Sequence, residues 1–391
     1  MTNVARPRPW FVTALLTLAV VIALSLGSWY LLVDPRWSPL HIYPFPNNAV
    51  LFWAILMVVF LGFNLEFWGF HRLTQPVKGM AIIAVVVALA IGVTALLAVG
   101  LGHFDPRFAA DRKGGTGYFA GALFVLFGFF TFVTVVINWA HWPWADMGQP
   151  KKGLYEIAIV AVPTLLLYLV LGLPTMAIDA RGGGPILALD TVIGWVYSVI
   201  VAMLVTGQLT ENWPWRLAGP GWRTALASMV GNVAVGTAVY FAFVSLARIL
   251  VGGSAAALLG PGINSFAAQV GVCWAFWMIF WPNAAANFPN TVSAVKNYTV
   301  RIAITLPLGI VTFLAYYHVI AGTVLHEPVV AGNLYGNALG FVDWAVLWTL
   351  FYVVCLESFG LRQPVAAAAE VTAPAQEPAG RGVRQSAGIR H

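Results

Sequence analysis

A chain of 391 residues that is 60% hydrophobic and only 9% charged falls outside the soluble globular class, in which about a quarter of residues carry charge. Its formal net charge of +6 comes from basic residues scattered in ones and twos, a pattern that speaks for membrane orientation and against a nucleic-acid partner. Cys273 and Cys355 both fall in apolar runs and read as small core residues, not as a disulfide framework.

Apolar stretches long enough to cross a ~30 Å hydrocarbon core recur from end to end. Lipid offers no hydrogen bonds to exposed backbone, and the runs are continuous instead of alternating, so they are expected to be helices. The first follows Arg6 and Arg8 and extends from Trp10 to about Val33. It is too long for the apolar part of a signal peptide and no small-residue cleavage site follows, so it reads as a membrane helix. The others are expected at 49–69, 79–102, 118–140, 154–176, 188–209, 222–251, 264–283, 298–321 and 340–360. The expected fold is an all-α polytopic membrane protein, with residues 1–364 as one ten-helix transmembrane domain. Residues 365–391, rich in Ala, Pro, Glu and Arg, are expected to be a disordered tail.

Both termini and the even-numbered connections fall on one side. That side carries fourteen basic residues: Arg6, Arg8, Arg72, Lys78, Lys151, Lys152, Arg216, Arg223, Lys296, Arg301 and four tail arginines. The other carries six: Arg36, Arg107, Arg112, Lys113, Arg181 and Arg248. The positive-inside rule then predicts cytoplasmic N- and C-termini.

The ends of the even spans resemble one another: "LEFWGFHRLTQPVKG" (65–79), "AHWPWADMGQPKKG" (140–153), "ENWPWRLAGPGWR" (211–223), "FWPNAAANFPN" (280–290) and "LESFGLRQP" (356–364). Aligned on Trp68, Trp142, Trp213, Trp281 and Phe359, they place Glu66, Ala140, Glu211, Ile279 and Glu357 two residues earlier. The odd spans end in a fainter set, "VDPR" (33–36), "HFDPR" (103–107), "IDAR" (178–181), Arg248 without an acid, and "HEP" (326–328). The spacing of roughly seventy residues on both sides predicts five tandem helical hairpins. Hairpins running in one direction most economically close into a ring about a central axis with pseudo-five-fold symmetry. Pro163 and Pro307 nominate the odd helices for the inner set, because kinked helices commonly line cavities. The layout resembles the ten-helix, five-hairpin plan of the tellurite-resistance and SLAC anion channel family. The resemblance is one of architecture, without that family's sequence pattern, and it assigns no residue.

Three groups of side chains are candidate sites. Near the cytoplasmic side, Glu66, Glu211, Glu357 and His141, with Asn64, Asn138 and Asn212, would form a transport or ion-binding layer if equivalent positions converge; intramembrane acids usually face a bundle interior. The competing reading places these acids at the interface, paired with nearby arginines such as Arg72, Arg216 and Arg362, within an ordinary aromatic belt. On the outer side, His103 with Asp105 and His326 with Glu327, near His318, His41 and Asp34, are candidate metal ligands, although no HExxH or Cys/His spacing is present. At mid-membrane, Asn232 with Gly231 and Gly236, Gln269 and Thr305 mark either close helix packing or a polar path.

No nucleotide-binding loop, GxSxG elbow, Cys/His nucleophile pair or aspartate-rich diphosphate signature occurs. The expected function is a transporter or channel for a small solute or ion in the bacterial inner membrane, surrounded by lipid bilayer and without nucleic acid. The alternative is an integral membrane enzyme or redox subunit holding a metal or haem on the outer histidines. A third reading is a subunit whose tryptophan-rich rim docks a partner. The sequence assigns no cofactor and no oligomeric state.

Overall fold

The structure, a computed structural model, describes residues 9–111, 115–173, 186–290 and 293–361. Arg6, Arg8, Arg112, Lys113, Arg181, the four tail arginines, the "IDAR" segment and the predicted tail 365–391 lie outside the described residues. Among the described residues ten helices are long and apolar enough to cross a membrane: α1 (Trp10–Leu32), α2 (Asn47–Asn64), α3 (Val77–Phe104), α4 (Thr116–Ile137), α5 (Lys151–Gly172), α6 (Leu189–Leu209), α7 (Trp222–Val251), α8 (Gly253–Ala284), α9 (Ala294–Thr323) and α10 (Ala338–Cys355). α8 begins well before its expected start at 264, through a tight 3-10 stretch at Gly260–Ser265. Among the described residues the remaining regular structure is a 3-10 turn, Trp215–Ala218, between α6 and α7, and a small antiparallel hairpin, β1 (Val329–Ala331) and β2 (Leu334–Tyr335), between α9 and α10.

The even helices form the inside. α2 packs on α4, α4 on α6, α6 on α8, α8 on α10, and α10 back on α2, so the five close a ring. Between 67 and 83% of the most apolar stretch of each even helix is buried, against 22 to 28% for each odd helix. This reverses the expectation that the odd helices are innermost. Pro163 and Pro307 lie on the exposed side of α5 and α9, where the ring interrupts no packing and the proline costs only backbone hydrogen bonds. A helix that is apolar all round belongs in a core, and one with a single stripe belongs outside.

The odd helices each show such a stripe at the same spacing. Ala14, Thr17, Val21, Ser25 and Trp29 are buried in α1, as are Gly79, Ile82, Val86, Ala90 and Thr94 in α3. α5 buries Gly153, Glu156, Val160, Thr164 and Tyr168; α7 buries Ala225, Ser228, Asn232, Gly236 and Tyr240; α9 buries Tyr298, Arg301, Thr305, Gly309 and Phe313. Small residues at such positions let backbones approach where hydrophobic pressure between helices is absent. At Gly153 a Cβ would stand 2.5 Å from the Asn64 carbonyl oxygen.

At the face where α1 begins and α10 ends, here the proximal face, every even helix stops in the same turn. Two successive residues take left-handed backbone: Glu66–Phe67, Ala140–His141, Glu211–Asn212, Ala286–Asn287 and Glu357–Ser358. The amide of the second donates six residues back, to the carbonyls of Leu61, Val135, Thr206, Trp281 and Tyr352, at 2.6–3.3 Å. This closure, one residue wider than the Schellman motif, likewise satisfies a carbonyl of the last turn and is made here without glycine, although each left-handed L-residue costs roughly 1–2 kcal/mol. The fourth turn falls at Ala286–Asn287 followed by Phe288, so the aromatic partner of Trp68 is Phe288 and not Trp281. "FWPNAAANFPN" contains aromatic-Pro twice, and Pro282 is absorbed inside α8.

Candidate functional site

The even helices surround an axial cavity of about 80 Å³. Its walls come from all five, including Phe52 of α2, Phe129 of α4, Tyr197 of α6, Ile279 of α8 and Asp343 of α10. Among the described residues, Tyr197 and Asp343 are the only polar side chains in that wall. The Tyr197 hydroxyl lies 3.4 Å from Asp343 Oδ1 and donates to it. Asp343 is 5% exposed, and among the described residues no Lys, Arg or His pairs with it.

Toward the opposite, distal face lies a second cavity of about 350 Å³ with a polar wall that includes Tyr43, Asn48, Asp190, Ser265, Gln269 and Asn337. The two cavities share Phe52, Phe119, Ile193 and Leu339. These four apolar side chains therefore divide a polar vestibule from an apolar chamber on one axis. Gln269 is held in place: its Oε1 accepts from the Tyr317 hydroxyl at 3.0 Å and the Leu339 amide at 3.2 Å. Behind the vestibule wall Glu327, 3% exposed, accepts from the Tyr316 hydroxyl and, at 3.3 Å, from Tyr43. Burial pushes its carboxyl up to about 8, against the pull of both phenols and the Asn337 amide.

The proximal acids are distributed around the ring. Glu66 pairs with Lys152 at the start of α5 (2.5 Å), Glu211 with Arg301 of α9 (2.9 Å), and Glu357 with Lys78 of α3 (2.9 Å). The hydrogen bond from Lys152 holds Glu66 below the ordinary carboxylate range. None of the three lines the axial cavity or the vestibule. The partners are basic residues in the first three turns of odd helices and not the arginines named from sequence, because each even helix ends against an odd helix distant in the chain. His141 joins Glu66 across 4.0 Å and donates to or accepts from Glu156 at 2.7 Å. Glu156 is fully buried on α5 and also accepts from Asn64 Nδ2 at 2.9 Å.

Asn138, Asn212 and Asn232 meet in one network. Asn138 Nδ2 donates to Asn212 Oδ1 at 3.0 Å, Asn212 Nδ2 to the Asn138 carbonyl at 2.7 Å, and Asn232 Nδ2 to Asn138 Oδ1 at 3.4 Å. Thr206 and Trp215 complete Asn232 Oδ1 at 2.9 Å each. The network ties α4, α6 and α7, and none of the three asparagines lines the axial cavity. Trp68 and Trp213 are half exposed at this face, where amphipathic rings sit at a membrane interface.

The four distal metal candidates stay apart. Asp105 forms a fork with Arg107, His326 Nδ1 contacts Asp34 Oδ2 at 2.9 Å, and Glu327 turns inward to the two tyrosines. His103 lies edge-on to Phe104. Among the described residues no group of three or more His, Cys, Asp or Glu side chains stands where it could hold a metal. Asp343, Asp190 and Glu156 were legible as acids inside apolar spans, but they lie outside the repeated helix endings and so outside the pattern that drew the sequence reading. The chain matches no protein-family profile, no curated protein and no solved structure.

Proposed function

We propose that this polytopic membrane protein is a transporter or channel for a small solute or ion, with its pathway along the axis of the five even helices. The observation that carries the reading is the polar vestibule running into an apolar chamber that holds one buried carboxyl. Ionisable groups are expensive within a membrane and are kept where they serve a pathway or a relay, and an apolar constriction such as Phe52–Phe119–Ile193–Leu339 is a gate that excludes water.

The closed ring, the five similar turns and the five stripes support a chain of five tandem hairpins about a pseudo-five-fold axis. The proximal face, which carries Lys78, Lys151, Lys152 and Arg301, is proposed to be cytoplasmic, in a bacterial inner membrane. In this reading Glu66, Glu211 and Glu357 anchor that face, and the passage runs through the residues around Asp343.

The test is a shrinkage assay on proteoliposomes challenged in turn with an ammonium salt, a potassium salt and glycerol. At least one is expected to cross faster than in empty vesicles, with Phe52→Ala raising the rate and Ala275→Trp, which fills the chamber, lowering it. If none crosses faster through the native protein or Phe52→Ala, the transport reading is wrong.

A further inference from the structure

Among the described residues, the Asp, Glu, Lys, Arg and His side chains that line the distal vestibule and axial chamber are all acids. Asp190 lines the vestibule and Asp343 lines the chamber. Among the described residues no Lys, Arg or His lines either space. Clefts lined by one sign of charge between low-dielectric walls concentrate the opposite sign, so this path favours cations and rejects anions.

The chamber also discriminates among cations. A bare alkali or alkaline-earth ion needs a shell of oxygens to replace its water: rings of carbonyls for potassium, six to eight oxygens for calcium. The chamber wall offers one carboxyl and one phenol, and the rest is aliphatic or aromatic carbon. An organic ammonium ion carries its own apolar surface and is attracted to aromatic faces. It needs a single anionic partner. Phe52, Phe119, Phe129 and Tyr197 supply rings and Asp343 supplies the charge.

We infer that the axial chamber is a binding site for a small organic ammonium ion, with Asp343 as its anionic partner, Tyr197 positioning that carboxyl, and the phenylalanines of the chamber as the seat of the alkyl groups. The inference rests on the chamber being the solute's path, and it names the solute's class.

The probe is radiolabelled tetramethylammonium, a permanent cation with no proton to lose, bound to purified protein in nanodiscs. Native protein is expected to bind it saturably, with an equal concentration of potassium displacing little and tert-butanol, a neutral molecule of similar shape, displacing none. Asp343→Asn is expected to weaken binding at least tenfold, Asp343→Glu to retain part of it, and Tyr197→Phe to weaken it by a smaller factor. Unchanged elution volume and helical content show which variants have folded. Should Asp343→Asn fail that check, protection of Cys273, buried beside Asp343, from a membrane-permeant thiol reagent by tetramethylammonium in the native protein reads the same site. Absence of saturable binding, equal displacement by potassium, or Asp343→Asn binding like the native chain overturns the inference. Saturable binding with no flux of any solute upholds the ammonium site and overturns the transport reading. Flux of glycerol without tetramethylammonium binding does the reverse.

Discussion

Glu327→Gln isolates the cost of keeping an acid inside the distal face. The carboxyl is pushed from its ordinary 4.5 to about 8, chiefly by burial, with Asp34 adding a smaller push and the Tyr316 and Tyr43 hydroxyls opposing it. Folding therefore favours the protonated form. The associated stability is fully present below pH 4.5 and is lost as pH rises through about 8. At about 1.36 kcal/mol per pH unit, the native chain loses roughly 3 kcal/mol by pH 7 and roughly 5 kcal/mol by pH 9, relative to pH 4. Glutamine keeps the shape and the contacts to both phenols but has nothing to ionise, so its curve lacks this slope. The assay is the thermal midpoint in detergent, followed by tryptophan fluorescence from pH 4 to 9. The native midpoint is expected to fall by on the order of 5–10 °C across that range, and the variant's by markedly less. Infrared spectroscopy adds a direct readout: a carboxylic-acid carbonyl band that disappears near pH 8 and is missing in Glu327→Gln. A native midpoint that is flat above pH 5, or a variant with the native slope, refutes the reasoning.

The Glu66–Lys152 pair runs the other way: a lowered acid stabilises above the ordinary carboxylate range and the gain is lost as pH falls through its folded value. Because Glu66 is half exposed, Glu66→Gln should remove about 1 kcal/mol or less at pH 7, read as a small shift of the thermal midpoint. Gly153→Ala drives a Cβ into the Asn64 carbonyl oxygen and should cost about 1–3 kcal/mol. Gly27→Ala, with nothing within 4 Å, should be neutral or gain up to about 1 kcal/mol from helix propensity. Arg301→Met removes the donor shared by the carbonyls of Leu209 and Pro289 and by Glu211. The loss should be about 3 kcal/mol, with the proximal ends of α6 and α8 losing amide-exchange protection first.

The membrane class and all ten helices were legible because a long apolar run has few alternatives in a bilayer. The helix endings were legible too, since the left-handed pair leaves an acid or small residue two positions before an aromatic. The register failed once, at Trp281, where two aromatic-Pro steps compete within eleven residues. The layering was misread because the prolines were given more weight than the polar periodicity of the odd helices. Thr17, Glu156, Ser228 and Arg301 recur on one stripe, and a polar stripe on a membrane helix faces protein. The proximal acids were visible, but their partners were not, since a ring closed by helices distant in sequence cannot be inferred from neighbouring residues. Asp343 sat in plain view within "GFVDWAVLW", carrying the one signal that needs no repeat to read it: a carboxyl deep in an apolar span.

Closure of the ring by its last helix sets an order on biogenesis. α1 is completed by α10: the indole nitrogens of Trp344 and Trp348 donate to Ser28 Oγ at 2.9 and 2.7 Å, and Ser28 and Trp348 are 320 residues apart. At 5–20 residues per second, synthesis separates the two by roughly 15–60 s, during which the first helix stands in lipid without its partner. Its polar groups are suited to that wait. Ser25 donates to the Val21 carbonyl at 2.7 Å and Ser28 to the Leu24 carbonyl at 2.6 Å, bonds internal to α1 that need no neighbour. The helix can therefore enter the bilayer with these two serines already satisfied, and Ser28, still donating to its own backbone, accepts the two indoles when α10 arrives.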